Sequence, residues 1–331
     1  VIPSRGAWLE FEQDSQGVLW VHVDRTRKLT ATVLLRALGF GSDDALEKLF
    51  EGDEMIANTA AKDTAKSETE GLIELYRRLR PGEIPTDDAV KQHLKNLFFD
   101  ARRYDLAKVG RYKLNKRLRL GVRLVGVKTY EDIVTADGEV LAAAGTVIDK
   151  ELAERIQNAG VNVVYADVDG VRHKIIGNNV VSFKEATGVD PRLFGLLDYV
   201  YYPALEFSKE VRATAEKEGE EAAAEKLRKQ INEFFYIEDK IVPAGEEKPE
   251  DKKNDEKAKE TRNKFVKACV EFYKLLEAGL TEPLTVEGKK DIRPLLDKLN
   301  HKHITVDDIV ASVSVNLDLN FDLNTVDNID H

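Results

Sequence analysis

A large aromatic residue and an aspartate lie together at the open end of a predicted β-hairpin. Apolar and polar residues alternate over residues 7–24, on both sides of a turn-forming tetrad at residues 14–17. An antiparallel pairing centred on Gln16 places Trp8 opposite Asp24 on the polar face. An indole stacks on any base, and a carboxylate accepts hydrogen bonds from base amino groups. The opposite face is the predicted core side, with Leu9, Phe11, Leu19, Val21 and Val23.

Basic residues follow the hairpin and recur later in the chain. Arg25, Arg27 and Lys28 come directly after Asp24, where they could hold phosphates while the hairpin holds a base. Residues 100–119 carry eight basic side chains against two acidic ones. Purely structural interpretations also stay open. Trp8 could cap a sheet edge or pack against a neighbouring domain. The charged residues 24–28 could form a solvated turn. Arg102 and Arg103 could likewise pair with Asp100 and Asp105.

Catalytic motifs are missing from the sequence. It contains no P-loop, no Gly-x-Ser-x-Gly elbow, no HExxH and no closely spaced aspartate cluster for magnesium. His301 and His303 lack accompanying ligands, which argues against a metal site. A hydrolase using Glu10 and Glu12 is a weak alternative, since no partner is visible whose pKa would suit a general acid.

The composition is that of a folded, strongly charged chain. Its 331 residues are enough for two or three domains, and the net charge of −10 argues against a uniformly basic nucleic-acid-binding surface. The single cysteine, Cys269, excludes a disulfide framework and indicates a cytoplasmic location. No membrane span or signal peptide is predicted. The start at Val1, with Met55 as the only methionine, suggests an excised fragment.

The periodicity predicts helices at residues 30–38, 43–50, 68–79, from 87 onward and at 305–315. Short β runs fill residues 122–183, with one helix at 151–158. Residues 185–300 are mostly helical, with a charged helix at 209–236 interrupted by Gly219 and an amphipathic helix at 261–280. Residues 244–259 have almost no apolar content and predict an exposed linker or a disordered loop. The expected fold class is α+β.

Five stretches in this order resemble the β subunit of bacterial RNA polymerase: IPSRGAWLEFE at residues 2–12, VDRTRKLTATVLLRAL at 23–38, LRPGE at 79–83, LFFDARRYDLAKVGRYKLNK at 97–116 and VDNIDH at 326–331. The resemblance covers residues 1–120 and 301–331 well, and residues 129–148 less specifically. Residues 185–300 show no recognisable family motif and are interpreted as a lineage-specific insertion in the lobe.

The resemblance implies a mixed helical and antiparallel-strand lobe domain with an inserted β-rich module and a mostly helical insertion. It divides the chain into lobe core at residues 1–120, a β-rich module at 121–184, an acidic insertion at 185–300 and a return to the core at 301–331. The lobe would line the DNA channel and touch downstream duplex and the non-template strand during transcription.

The resemblance also implies specific site residues and partners. Trp8, Asp24, Ile329 and Asp330 would form a pocket for unstacked non-template bases, and Arg80 and Arg103 would contact the strand. The partners would be DNA, the β′, α and ω subunits and a sigma factor, with no membrane. This part would hold no cofactor or catalytic residue, because the Mg²⁺ of nucleotidyl transfer belongs to β′. The alternative is a stand-alone acidic protein-interaction module, with Trp8 as a partner anchor.

Overall fold

The computed structural model describes residues 2–237, 242, 244–279 and 286–323, with only the backbone described at 286–291. Its strands are β1 Leu9–Gln13, β2 Leu19–Val23, β3 Leu29–Thr30, β4 Ile133–Val134, β5 Val140–Ala142, β6 Val163–Val168, β7 Val171–Ile176, β8 Val180–Ser182 and β9 Tyr199–Tyr201. Its α-helices are α1 Ala31–Ala37, α2 Asp43–Phe50, α3 Glu54–Ala60, α4 Glu68–Leu79, α5 Asp87–Phe98, α6 Ala107–Leu118, α7 Leu120–Arg123, α8 Lys150–Asn158, α9 Phe183–Thr187, α10 Tyr202–Glu218, α11 Glu220–Lys226, α12 Arg228–Phe235, α13 Pro249–Glu277, α14 Val286–Leu299 and α15 Val306–Asp318. The predicted α+β class is confirmed.

The chain folds into two compact units. The first unit comprises residues 1–180 and 302–331, and the second comprises residues 181–301. The chain thus leaves the first unit, forms the second, and returns. The predicted boundaries at residues 120, 184 and 300, and the idea that the second unit is an insertion, stay predictions.

The predicted hairpin is present with the predicted register. Strands β1 and β2 pair antiparallel, with Glu10 opposite His22 and Glu12 opposite Trp20. Asp14 closes the turn by accepting hydrogen bonds from the backbone N–H groups of Gln16 and Val18. Burial alternates along β2 as predicted, because its core-side residues are sealed and the residues between them are half-buried.

Local capping chemistry sets the helix starts that the sequence predicted. Ser42, Ser67 and Thr86 each accept a hydrogen bond from a backbone N–H in the first turn of α2, α4 and α5. Thr305 and Asp308 form a reciprocal capping box at the start of α15. The periodic pattern and the caps therefore agree at these helix starts.

Buried ion pairs join the returning segment to the rest of the first unit. Arg111 donates to the Asp308 carboxylate at 2.8 Å and to the backbone oxygen of His303 at 2.6 Å. Arg123 donates to Asp318 at 2.8 Å, and the other oxygen of that carboxylate lies 2.7 Å from His173. The arginine contacts link residues almost 200 positions apart and the His173 contact links residues 145 apart, so α15 is an integral part of this core.

The second unit is a helical bundle around an aromatic core. Helix α13 packs against α10, α11 and α14. Phe183, Phe194 and Phe272 lie with ring centroids 5.6–6.1 Å apart in the centre of the bundle. The predicted charged helix at residues 209–236 is divided into α10, α11 and α12, with breaks at Gly219 and Leu227.

The prediction of a linker at residues 244–259 was wrong for most of that range. Helix α13 begins at Pro249, a residue that suits the first helical position, and continues for 29 residues. Glu and Lys are good helix formers, and pairs such as Lys264–Glu260 at 2.6 Å lie one turn apart along the exposed side. A low apolar content therefore indicated exposure correctly, but it did not indicate disorder.

Candidate nucleic-acid interface

Trp8 and Asp24 lie side by side at the open end of the hairpin. The Trp8 backbone N–H donates to Asp24 Oδ1 at 2.8 Å, and the Asp24 N–H donates to the Trp8 carbonyl at 3.0 Å. The two residues thereby extend the β1–β2 register by one pair, as predicted. These bonds hold the Trp8 backbone against the Asp24 carboxylate at the open end of the hairpin.

The two side chains differ in their surroundings. Trp8 is half-buried, and its sealed indole N–H has no hydrogen-bond partner among the described residues. Asp24 is exposed and has a φ of 55°, a left-handed conformation that aspartate tolerates better than most residues. Its second carboxylate oxygen accepts no hydrogen bond from the part of the chain that the structure describes. One oxygen of Asp24 is therefore fixed, and the other can accept from a ligand.

The basic turn after Asp24 is exposed and anchored through its backbone. Arg25, Arg27 and Lys28 all have exposed side chains. The Lys28 amine lies 4.9 Å from the centre of the Trp20 ring, and the Lys28 backbone oxygen accepts a hydrogen bond from Arg78 at 3.3 Å. The Arg78 bond brings the end of α4 to this turn.

Arg80 follows the last residue of helix α4, and its side chain is half exposed. It forms an ion pair with Glu83 at 3.2 Å. Glu83 also accepts from the Tyr76 hydroxyl at 2.7 Å, and these two contacts, the Tyr76 bond first, lower the pKa of the Glu83 carboxyl. Glu83 therefore stays ionised and orients a guanidinium that remains open to solvent.

Arg103 lies in the loop before α6, and this loop is bound to the segment that precedes Trp8. Arg5 and Asp105 exchange backbone hydrogen bonds at 3.1 and 2.7 Å. Gly6 has a φ of 122° and lies directly over the buried Tyr104 ring, where an added Cβ would come within 2.5 Å of a ring carbon. This close approach requires glycine and fixes the Trp8 segment against the Arg103 loop.

Asp100 is the shared partner of both arginines in that loop. Arg102 lies 3.2 Å and Arg103 lies 3.7 Å from its carboxylate, while Asp105 instead accepts from the backbone of Ala107. Partial burial would raise the pKa of Asp100, but the Arg102 backbone N–H and the two guanidinium groups lower it overall. The Arg103 side chain is still 64% exposed, so it remains accessible to a phosphate.

The basic stretch at residues 100–119 divides into structural and exposed cations. Arg111 is buried against Asp308, and Arg119 pairs with Glu154 at 2.5 Å. Lys108, Lys113 and Arg117 are exposed on α6. Counting charges along the sequence therefore overstated the basic surface, because helical position decides which cations point outward.

Two predicted pocket residues, Ile329 and Asp330, lie outside the described residues. The structure brings together Trp8, Asp24 and the basic turn, and it links the Arg80 and Arg103 segments to that region by hydrogen bonds. Sequence reasoning missed the Arg5–Asp105 pairing and the Gly6–Tyr104 packing. Both join segments about 100 residues apart, and the only local signal was a glycine two residues before the tryptophan.

Comparison with known proteins identifies the family. Residues 1–159 match the family model described as RNA polymerase Rpb2, domain 2. The chain is 47% identical over 236 residues, or 71% of its length, to the DNA-directed RNA polymerase subunit beta of Acetivibrio thermocellus. It is 44% identical over 232 residues to that of Clostridium botulinum strain Loch Maree, and 47% identical over 231 residues to that of Alkaliphilus metalliredigens, which cover 70% and 69% of the chain. The chain belongs to the bacterial RNA polymerase β-subunit family.

The chain spans about a fifth of the length of these β subunits, covering 19% of the first and 18% of the other two. The β-subunit resemblance seen in the five sequence motifs is thus confirmed. Among the helices that the structure describes, none is both long and apolar enough to cross a membrane. Within the described ranges, no three His, Cys, Asp or Glu side chains converge in a group that could hold a metal ion.

Proposed function

We propose that this chain serves, as part of a β subunit in a bacterial RNA polymerase, to hold the non-template DNA strand and to line the path of downstream duplex. The observation that best supports this proposal is the pair of reciprocal hydrogen bonds between Trp8 and Asp24. They place the residue that supplies the stacking group beside the residue that supplies the base-reading carboxylate, next to an exposed basic turn.

The chemistry assigns a separate task to each group. The Trp8 indole stacks on an unstacked base, and the open oxygen of Asp24 accepts from an amino group such as cytosine N4. Arg25, Arg27 and Lys28 hold neighbouring phosphates, which position the strand without reading its sequence. Arg80 and Arg103 extend these contacts along the strand. Ile329 and Asp330 complete the pocket.

The synthesis of RNA belongs to the whole enzyme in this proposal. The chain contributes no catalytic group, and the Mg²⁺ for nucleotidyl transfer is held by the β′ subunit. The other partners are the α and ω subunits and a sigma factor, and the site of action is the cytoplasm. The chain's task is to grip and position DNA.

A binding titration with single-stranded oligonucleotides tests this proposal. Trp8→Ala is expected to weaken binding by about 1–3 kcal/mol while leaving the salt dependence unchanged, because stacking is lost and no charge is removed. Replacing Arg25, Arg27 and Lys28 by Gln is expected to lower the slope of log affinity against log salt by about 0.7 per lost phosphate contact. Asp24→Asn and Asp330→Ala are expected to change base preference more than overall affinity.

Trp20→Phe is the matched control, because Trp20 is the other tryptophan and its indole already donates to Asp14 at 2.9 Å. This variant should bind as the parent chain does. Equal affinities for the parent chain and Trp8→Ala would refute the stacking role. Absence of binding at every salt concentration would instead favour a protein-interaction module.

A further inference from the structure

Exposed apolar side chains are concentrated in one short part of the first unit. Among the described residues, ten large hydrophobic side chains are exposed, and four of them, Tyr130, Val134, Val140 and Val147, lie within residues 130–147. A single exposed hydrophobic residue is ordinary, but several in one short segment indicate a surface that binds another molecule.

The hairpin formed by β4 and β5 presents two of these side chains together. Val134 and Val140 are cross-strand partners in the antiparallel pair, so their side chains lie side by side. They are 45% and 55% exposed, whereas the neighbouring pair, Ile133 and Ala142, is buried in the core. The hairpin therefore has one side in the core and an apolar outer face that is open to solvent.

The segment around this outer face carries charge of one sign only. Residues 129–149 contain five acidic residues and no lysine or arginine. Three of the five carboxylates have partners within the fold: Glu131 with Arg172, Asp132 with the Ala144 N–H and Asp149 with the Leu152 N–H. The other two, Asp137 and Glu139, are exposed at the tip of the hairpin and pair with no cation of the described residues.

The combination of an apolar pair and free carboxylates determines which kind of partner fits. Carboxylates repel DNA phosphates, so this surface differs in kind from the Trp8–Asp24 region with its basic turn. A protein segment that carries both apolar and cationic side chains complements it, because its apolar side chains cover the valines and its cations approach the carboxylates.

We propose that the outer face of the β4–β5 hairpin is a docking surface for a basic, partly apolar segment of a partner protein. Val134 and Val140 supply the apolar contact. Asp137 and Glu139 supply the charge that attracts the segment and orients it. No residue of this surface belongs to the proposed DNA-binding set.

The test is binding of the whole chain to a labelled synthetic peptide of alternating lysine and leucine, measured by fluorescence anisotropy. The parent chain should bind saturably. Val134→Thr combined with Val140→Thr should weaken binding by about tenfold, because threonine keeps the strand propensity but replaces a methyl group by a hydroxyl. A peptide of alternating lysine and serine should bind much more weakly, because it offers no apolar side chain.

The carboxylates are tested separately by Asp137→Asn combined with Glu139→Gln. This variant should bind the lysine–leucine peptide more weakly at low salt and show a flatter salt dependence, because the attracting charge is lost. It keeps both valines, so it tests the surface even if the valine variant fails to fold.

Val171→Thr is the matched control, since Val171 is 54% exposed but lies on the β6–β7 hairpin. It should bind the lysine–leucine peptide as the parent chain does. A loss for Val171→Thr as large as that for the valine pair would overturn the proposal. Equal affinities for the two peptides would do the same, because charge alone would then account for binding, and so would absence of saturable binding by the parent chain.

Discussion

The two units stabilise their cores with different chemistry. The first unit buries arginine–carboxylate pairs, such as Arg111–Asp308 and Arg123–Asp318, which join its two chain segments. The second unit is built from one continuous segment around clustered phenylalanines, and its buried lysine, Lys298, has no such partner among the described residues. The unit that contains Trp8 and Asp24 therefore depends on a returning chain segment to complete its core. The second unit completes its core from one continuous segment.

The net charges of the two units differ less than their core chemistry does. Residues 181–301 contain 22 Lys and Arg against 26 Asp and Glu, so the second unit accounts for less than half of the net charge of −10. A modest negative charge is consistent with a unit that does not bind DNA. The exposed cations of the proposed interface all lie in the first unit.

Breaking a buried ion pair should give the largest effect. Asp308→Ala leaves the Arg111 guanidinium buried without its carboxylate and removes the capping box of α15. We expect the first unit to lose about 3–5 kcal/mol of unfolding free energy. Tryptophan fluorescence during urea unfolding measures this directly, since both tryptophans, Trp8 and Trp20, lie in the first unit. The exposed Asp87→Ala should cost at most about 0.5 kcal/mol.

Truncating the aromatic core should affect the second unit alone. Phe272 is fully buried and contacts Phe183, Phe194 and Tyr273. Phe272→Ala is expected to cost about 3–5 kcal/mol, visible by calorimetry, while the fluorescence transition of the first unit stays unchanged. A parallel shift of both transitions would mean that the two cores are not independent.

The buried lysine should give a smaller effect that depends on pH. The folded pKa of Lys298, about 8, lies below its unfolded value, so the charged amine destabilises the fold below pH 8. This cost fades as pH rises from about 8 to about 10.5 and is absent above that. Lys298→Met should therefore stabilise the second unit by about 1–3 kcal/mol at pH 7 and by much less at pH 10. An equal gain at both values would show that the buried charge of Lys298 does not cause the effect.

Surface ion pairs should contribute least. Lys264 and Glu260 lie 2.6 Å apart on α13, but both are more than 60% exposed. Glu260→Gln is expected to leave the thermal unfolding midpoint nearly unchanged in low salt and to change it even less in high salt. A loss as large as that of Asp308→Ala would remove the distinction between buried and exposed pairs.

Local features were the ones that the sequence could predict. The period-two alternation determined the β1–β2 register, and Ser42, Thr86 and Thr305 marked helix starts, because each signal involves residues only a few positions apart. The Arg5–Asp105 pairing and the burial of Arg111 were not predicted, since both depend on segments that meet only in the fold. The linker prediction failed because polar composition was weighed without the helix-starting Pro249.

The candidate site was likewise predictable from the sequence only where neighbouring residues determine it. The Trp8–Asp24 pair followed from strand alternation alone, and its hydrogen bonds are present. The contribution of Ile329 and Asp330 came from family resemblance and stays a prediction, because these residues lie outside the described ranges. Which cations are exposed required the structure, since Arg103 and Arg111 look alike in sequence but differ in burial.

The most direct test of the central claim is the fluorescence of Trp8 during a titration with single-stranded DNA. In the Trp20→Phe variant, Trp8 is the only indole in the chain. Stacking on a base should quench its emission in a saturable manner, and Asp24→Asn should shift the dependence of quenching on base identity. Saturable DNA binding that leaves the Trp8 emission unchanged would show that the indole does not contact the strand.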